Sequence, residues 1–176
     1  MRKAPLAAIG LALLSLSGCN RHSDRSAVDK EMDAYVASVD AAESTAAKDN
    51  ADFLAKAAKT PGVVTLPSGL MYRVVSSPNP GAPQPNASDT VTIMYEGSLV
   101  NGKVFDSSYQ RNQPATFPLG RLIKAWQIGI PLMHKGDTFM LFVPPELGYG
   151  AEGAGADIPP NSVLVFKVQL LDIQGK

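Results

Sequence analysis

The sequence has little of what most catalytic machinery requires. Its 176 residues include one cysteine, two histidines and one tryptophan. A single Cys cannot close a disulfide within the chain. His22 and His134 lie far apart in sequence without thiolate or carboxylate company, so they do not form the converging ligand set a metal needs. No metal and no cofactor are expected. Charge is also in short supply: Lys+Arg number 16, Asp+Glu number 16, and charged residues make up 18%. With no basic excess to neutralise phosphates, nucleic acid is excluded as a partner. No apolar run approaches the roughly 20 residues of a membrane-spanning helix.

What is present is ordinary globular material. Hydrophobic residues make up 45%, enough for one core-bearing domain with extensions, and 15 Gly with 14 Pro promise many turns. The amino terminus has a different texture. Arg2 and Lys3 precede a short apolar stretch, Pro5 to Leu16, and then comes Leu16-Ser17-Gly18-Cys19. A positive start, a short apolar run and small residues at a cut site describe a secretory signal. The Leu-Ser-Gly-Cys ending resembles a bacterial lipobox, which implies cleavage after residue 18 and lipidation of Cys19. Asn20, rather than Asp, follows the Cys; by analogy with Gram-negative lipoproteins this favours the periplasmic face of the outer membrane. Loss of residues 1–18 leaves 14 basic against 16 acidic residues, too mild an imbalance to imply a partner.

Residues 19–27 are polar and read as a tether. Over residues 28–60, Val28, Met32, Tyr35, Val39, Ala42 and Ala46 recur at alternating steps of four and three, one apolar stripe on a helix. The register stumbles at Lys48-Asp49-Asn50, which suggests a solvated helix or a kinked helix pair, ended by Thr60-Pro61-Gly62. Ala dominates the stripe, so it would make at most a weak homodimer seam. From residue 61 to 176 the pattern is short strands and turns. Strands are expected at Leu70–Val75, Thr90–Leu99, Lys103–Asp106, Thr138–Val143 and Val163–Leu171, with a tight turn at Asn101-Gly102 and a short helix within Leu122–Met133. The fold class is α+β, with an antiparallel sheet.

Four segments stand out together: "YEGSLVNGKVFDSS", "RNQPATFPLG", "LIKAWQIGIPLM" and "PPELGYGAEGAGADIPPNSVLVFKVQLLDI". Singly each is weak, and Trp126 or any one Phe would pass as ordinary core. In combination, from about Gly62 to Ile173, they resemble the FKBP-type peptidyl-prolyl cis-trans isomerases. The segment ahead of them looks like the amino-terminal extension of the Mip- and FkpA-like lipoprotein branch.

The resemblance implies an antiparallel sheet wrapped around a short α-helix, and an activity that makes no covalent bond. An X–Pro amide resists rotation by roughly 18–20 kcal/mol because twisting destroys its resonance. Unaided, that rotation takes tens of seconds or longer. A dry pocket that strips water from the carbonyl and fits the twisted amide lowers the barrier without His or Cys. By the resemblance, Tyr95 and Phe105 form one wall, Phe117 and Phe166 further aromatic wall, and Trp126 the floor. Leu122 and Ile123 line the mouth, with the Ile123 N–H offered to a ligand carbonyl. Tyr149 donates its hydroxyl to the substrate, and Ile158 closes the far side. Asp106 faces the twisted carbonyl, steadied by Tyr95 and Arg111. Ala115, Ala125, Ala154 and Asp157 depart from the commonest family pattern and soften the rim.

The partners implied are proline-containing polypeptides in the bacterial envelope and macrolide inhibitors, with the membrane reached through the lipid. The alternative is a lipid-anchored holdase chaperone or surface-interaction module with little turnover.

Overall fold

The structure is a computed structural model that describes residues 23–175. The expected signal segment, Cys19 with its lipid, and residues 19–22 of the expected tether lie outside the described residues.

The chain falls into two units divided between Ala42 and Glu43, inside helix α1 (Ser23–Ala58). In the first unit α1 exposes Met32, Tyr35 and Val36. Ser23 to Ala27, read above as tether, are already helical. Nor does α1 break at Lys48-Asp49-Asn50; it runs unbroken to Ala58. These residues each cost a helix about 0.7 kcal/mol or less, so they interrupt the apolar period without interrupting the backbone bonds. The helix ends where Thr60 donates its hydroxyl to the Lys56 carbonyl at 3.1 Å and Gly62 adopts φ 81°. Among the described residues no helix is long and apolar enough to cross a membrane.

In the second unit, the last turns of α1 bury Ala57 and set the Phe53 ring 6.2 Å from that of Phe142. Seven antiparallel strands follow: β1 (Val63–Thr65), β2 (Met71–Ser76), β3 (Thr90–Leu99), β4 (Val104–Ser107), β5 (Ala115–Pro118), β6 (Thr138–Val143) and β7 (Leu164–Ile173). Their order is β1-β2-β6-β7-β3-β4, with β5 paired to β3. Strand β3 alternates without a slip: Val91, Ile93, Tyr95, Gly97 and Leu99 are buried and the residues between them are half-exposed. Period-two burial is what a strand with one face on the core requires. Leu164, Phe166, Val168 and Leu170 of β7 present the same buried face.

Strands β1 and β5 carry no clear signal in the sequence. The first is three residues at an edge, and the second follows Pro114 and ends on Pro118, residues that punctuate a strand pattern. Helix α2 (Lys124–Gly129) is shorter than the apolar stretch around it. Pro131 has no N–H to continue an α-helix, and Ile130–Leu132 tightens into a 3-10 turn. Ala125, Trp126 and Gly129 face the core; Leu141 of the sheet comes within 3.2 Å of a β-carbon built on Gly129. The sheet therefore closes on α2, and one end of that contact is left open.

Candidate active site

The opening is a cavity of about 280 Å³ lined by Tyr95, Phe105, Asp106, Phe117, Leu122, Ile123, Trp126, Tyr149 and Phe166. Trp126 forms its base and is 5% exposed. The Tyr95 and Phe166 rings each stand 5.2 Å from the indole at 75° and 79°, and Phe117 stands at 6.3 Å and 61°. These edge-to-face contacts are the favoured geometry between aromatic quadrupoles and hold each ring upright. Phe105 meets Phe166 edge-on at 5.7 Å.

Two sheet irregularities build this wall. Phe105 and Asp106 are adjacent, so a regular strand would send them to opposite faces. The register passes from Gly97↔Asp106 to Ser98↔Val104, which leaves Phe105 as an unpaired bulge residue and lets both side chains enter the cavity. Gly97 sits opposite Phe166 in the sheet and has no side chain to obstruct either ring. Ser108, fully buried, accepts from the Tyr95 N–H at 2.7 Å and donates to its carbonyl at 3.2 Å, fixing the backbone beneath the phenol. Gln127 donates to the Leu122 carbonyl at 2.6 Å and holds the mouth segment against α2. Gly97, Ser108 and Gln127 were missed from the sequence. A glycine inside the strand pattern "TVTIMYEGSL" was the available signal for the first; the other two had none.

Asp106 is the one carboxylate in the cavity wall. The Tyr95 hydroxyl donates to its Oδ2, and Arg111 Nη1 donates to its Oδ1 at 2.5 Å. Arg111 Nη2 also donates to the Tyr95 hydroxyl oxygen at 3.1 Å. Partial burial pushes the Asp106 carboxyl upward, but these donors together outweigh it and hold the group below its ordinary value. Burial and the bond to Asp106 raise the Tyr95 phenol, and burial with the Asp106 charge raises that of Tyr149. At neutral pH both phenols are therefore protonated donors beside an ionised carboxylate.

Of the residues singled out from the sequence, nine line the cavity. Arg111 lies outside the lining and acts through Asp106 and Tyr95. Ile158 is not brought into the lining: it packs in the hydrophobic core, and its backbone bonds Ala154 in both directions. The pairing closes the loop between residues 154 and 158 on itself. Cys19 lies outside the described residues.

The site is thus an apolar, ring-lined cavity with one braced carboxylate and phenolic donors. The sequence comparisons place the chain in a family. Residues 81–171 match the FKBP-type peptidyl-prolyl cis-trans isomerases, and residues 13–74 match the domain amino terminal to FKBP-type peptidyl-prolyl isomerase. The chain belongs to the FKBP-type peptidyl-prolyl cis-trans isomerase family. It is 47% identical to the peptidyl-prolyl cis-trans isomerase Mip of Coxiella burnetii over 70% of this chain and 53% of that protein. It is 42% identical to the outer membrane protein MIP of Legionella longbeachae over 76% of this chain and 56% of that one. The chain thus spans about half the length of the curated relatives it matches. The crystal structure of FkpA from Escherichia coli superposes with a TM-score of 0.69 at 38% identity, covering 87% of this chain and 74% of that one.

Proposed function

We propose that this chain catalyses cis–trans rotation about X–Pro bonds in extracytoplasmic polypeptides and so assists their folding. The carrying observation is the Trp126-floored cavity, which presents aromatic surface to a pyrrolidine ring and one ion-paired carboxylate to the amide beside it. The proline ring rests on the indole between Tyr95, Phe117 and Phe166. Tyr149 and the Ile123 N–H hold the flanking carbonyls while Asp106 faces the rotating one. Desolvation disfavours the charge-separated, planar amide, and the fixed dipoles favour the twisted one. No bond is made, so no nucleophile is needed. The same apolar floor suits macrolide inhibitors.

The first unit favours a second role. Met32, Tyr35 and Val36 are 58%, 66% and 48% exposed on α1, apolar surface that supports weak self-association or client holding. With Cys19 lipidated, the protein acts from the envelope, on the periplasmic face of the outer membrane. Metabolic labelling with a radioactive fatty acid tests the anchor: label is expected in the wild type and absent from Cys19→Ala, and equal label in both removes it.

A protease-free isomerisation assay on a series of proline peptides tests the enzyme. Turnover that disappears with the pocket substitutions is expected. Refolding of clients rescued equally by a pocket-inactive variant would instead make the protein a holdase.

A further inference from the structure

Tyr149 is a partly exposed side chain with a hydroxyl to aim. It is 40% exposed and lies between Gly148 and Gly150, the second at φ 60°, where the backbone resists few alternatives. Three hydrogen bonds frame it. The Gly148 and Gly150 N–H groups donate to the Pro145 carbonyl at 3.0 and 2.8 Å, and the Asn161 N–H donates to the Gly150 carbonyl at 2.8 Å.

Asn161 is one of two non-glycine residues at positive φ among the described residues, at 55°. Asn enters that left-handed region more readily than other L residues and so suits a turn there. A tie from α1 reaches it: Asn50 Nδ2 donates to the Asn161 carbonyl at 2.9 Å, across 111 positions of sequence. Asn161 therefore receives α1 through its C=O and secures the Tyr149 segment through its N–H.

The same turns of α1 also meet the turn ahead of β4. Asp49, Asp52, Phe53 and Lys56 line a groove with Val100 and Asn101, at the turn that leads into β4, Phe105 and Asp106. Lys103 on that turn pairs with Asp157 of the Tyr149 loop at 2.8 Å, but both side chains are more than half exposed, so salt screens the pair. Asn50 makes a neutral bond that salt does not screen.

We propose that Asn50 is a positioning residue for Tyr149, coupling the last turns of α1 to the pocket through Asn161. The inference rests on the isomerase reading above and adds control of the site by the helical extension.

The test uses the full chain with Asn50→Ala, with Asn50→Asp (which keeps the size and removes the donor), with Tyr149→Phe, and with each Asn50 change on Tyr149→Phe. Either Asn50 change is expected to lower kcat/KM about three- to tenfold, mainly through KM, and to add nothing once the Tyr149 hydroxyl is gone. The Asn161 amide should exchange its hydrogen faster in both Asn50 variants, at unchanged Tm. Additive losses in the double variants, or unaltered turnover, overturn the proposal. If the wild type turns over no proline peptide, the isomerase reading fails. Exchange at Asn161 then decides the coupling alone, and an unaltered rate overturns it.

Discussion

Gly97 lies so close to Phe105 that a β-carbon placed on it would stand 2.6 Å from the ring, and 2.7 Å from that of Phe166. No real side chain tolerates that approach, so one of the two walls must move. Gly97→Ala is expected to destabilise the fold by about 1–3 kcal/mol through overpacking and to raise KM for proline peptides. Urea unfolding with the linear slope unchanged checks the first, and steady-state kinetics the second. A variant as stable and as active as the wild type would mean that the wall is softer than its contacts imply.

Asp106 and Trp126 should fail in different ways. If catalysis is desolvation plus carbonyl electrostatics, neither is indispensable. Asp106→Leu should lower kcat/KM about ten- to a hundredfold, or roughly 1.4–2.7 kcal/mol of transition-state stabilisation. Trp126→Ala removes the floor, so its loss should appear chiefly in KM, with about 3–5 kcal/mol of lost stability from the vacated core volume. Full activity in a folded Asp106→Leu protein would mean that another group faces the amide.

The rate should be nearly flat between about pH 6 and 8, because no titrating group of the cavity changes charge there. Tyr95 and Tyr149 are raised above 10.0 and Asp106 is lowered below 3.8. For Asp106 the folded carboxyl ionises more readily than the unfolded one. Its contribution to stability is therefore complete above 3.8 and is lost as pH falls through the lower folded value. Acid unfolding followed by Trp126 fluorescence should show this component, and Asp106→Asn should remove it. A bell-shaped rate profile between 6 and 8 would require a His in the chemistry.

Self-association should reside in the first unit. Deleting residues 28–42 is expected to abolish a weak, concentration-dependent dimer and to leave peptide turnover within about twofold of the full chain. The deletion stops at residue 42 because Phe53 and Ala57 pack in the second unit. Sedimentation velocity across a concentration series checks it, and a full chain that is monomeric throughout ends the idea.

Much of this protein is legible in its sequence. Strict alternation from Val91 to Leu99 marks β3 because a strand with one buried face has no other pattern. The nine cavity residues were legible through a family resemblance spread over four segments, with no single residue carrying it. Local chemistry also set the end of α1, where a Pro and a positive-φ Gly stop any helix.

Other features depend on encounters between distant segments, and no local pattern records those. A run of Lys, Asp and Asn looked like a break in α1; its Asn50 instead reaches Asn161, a partner 111 positions away. Ile158 is buried, and its backbone pairs with Ala154 in both directions. Phe105 and Asp106 face one cavity only because a bulge against β3 adds a residue to β4, and register between strands is a property of the pair. The family resemblance carried by four segments named the side chains expected at the site. Packing of the sheet on α2 and α1 decided where each one points, since orientation follows from contacts that exist only in the folded chain.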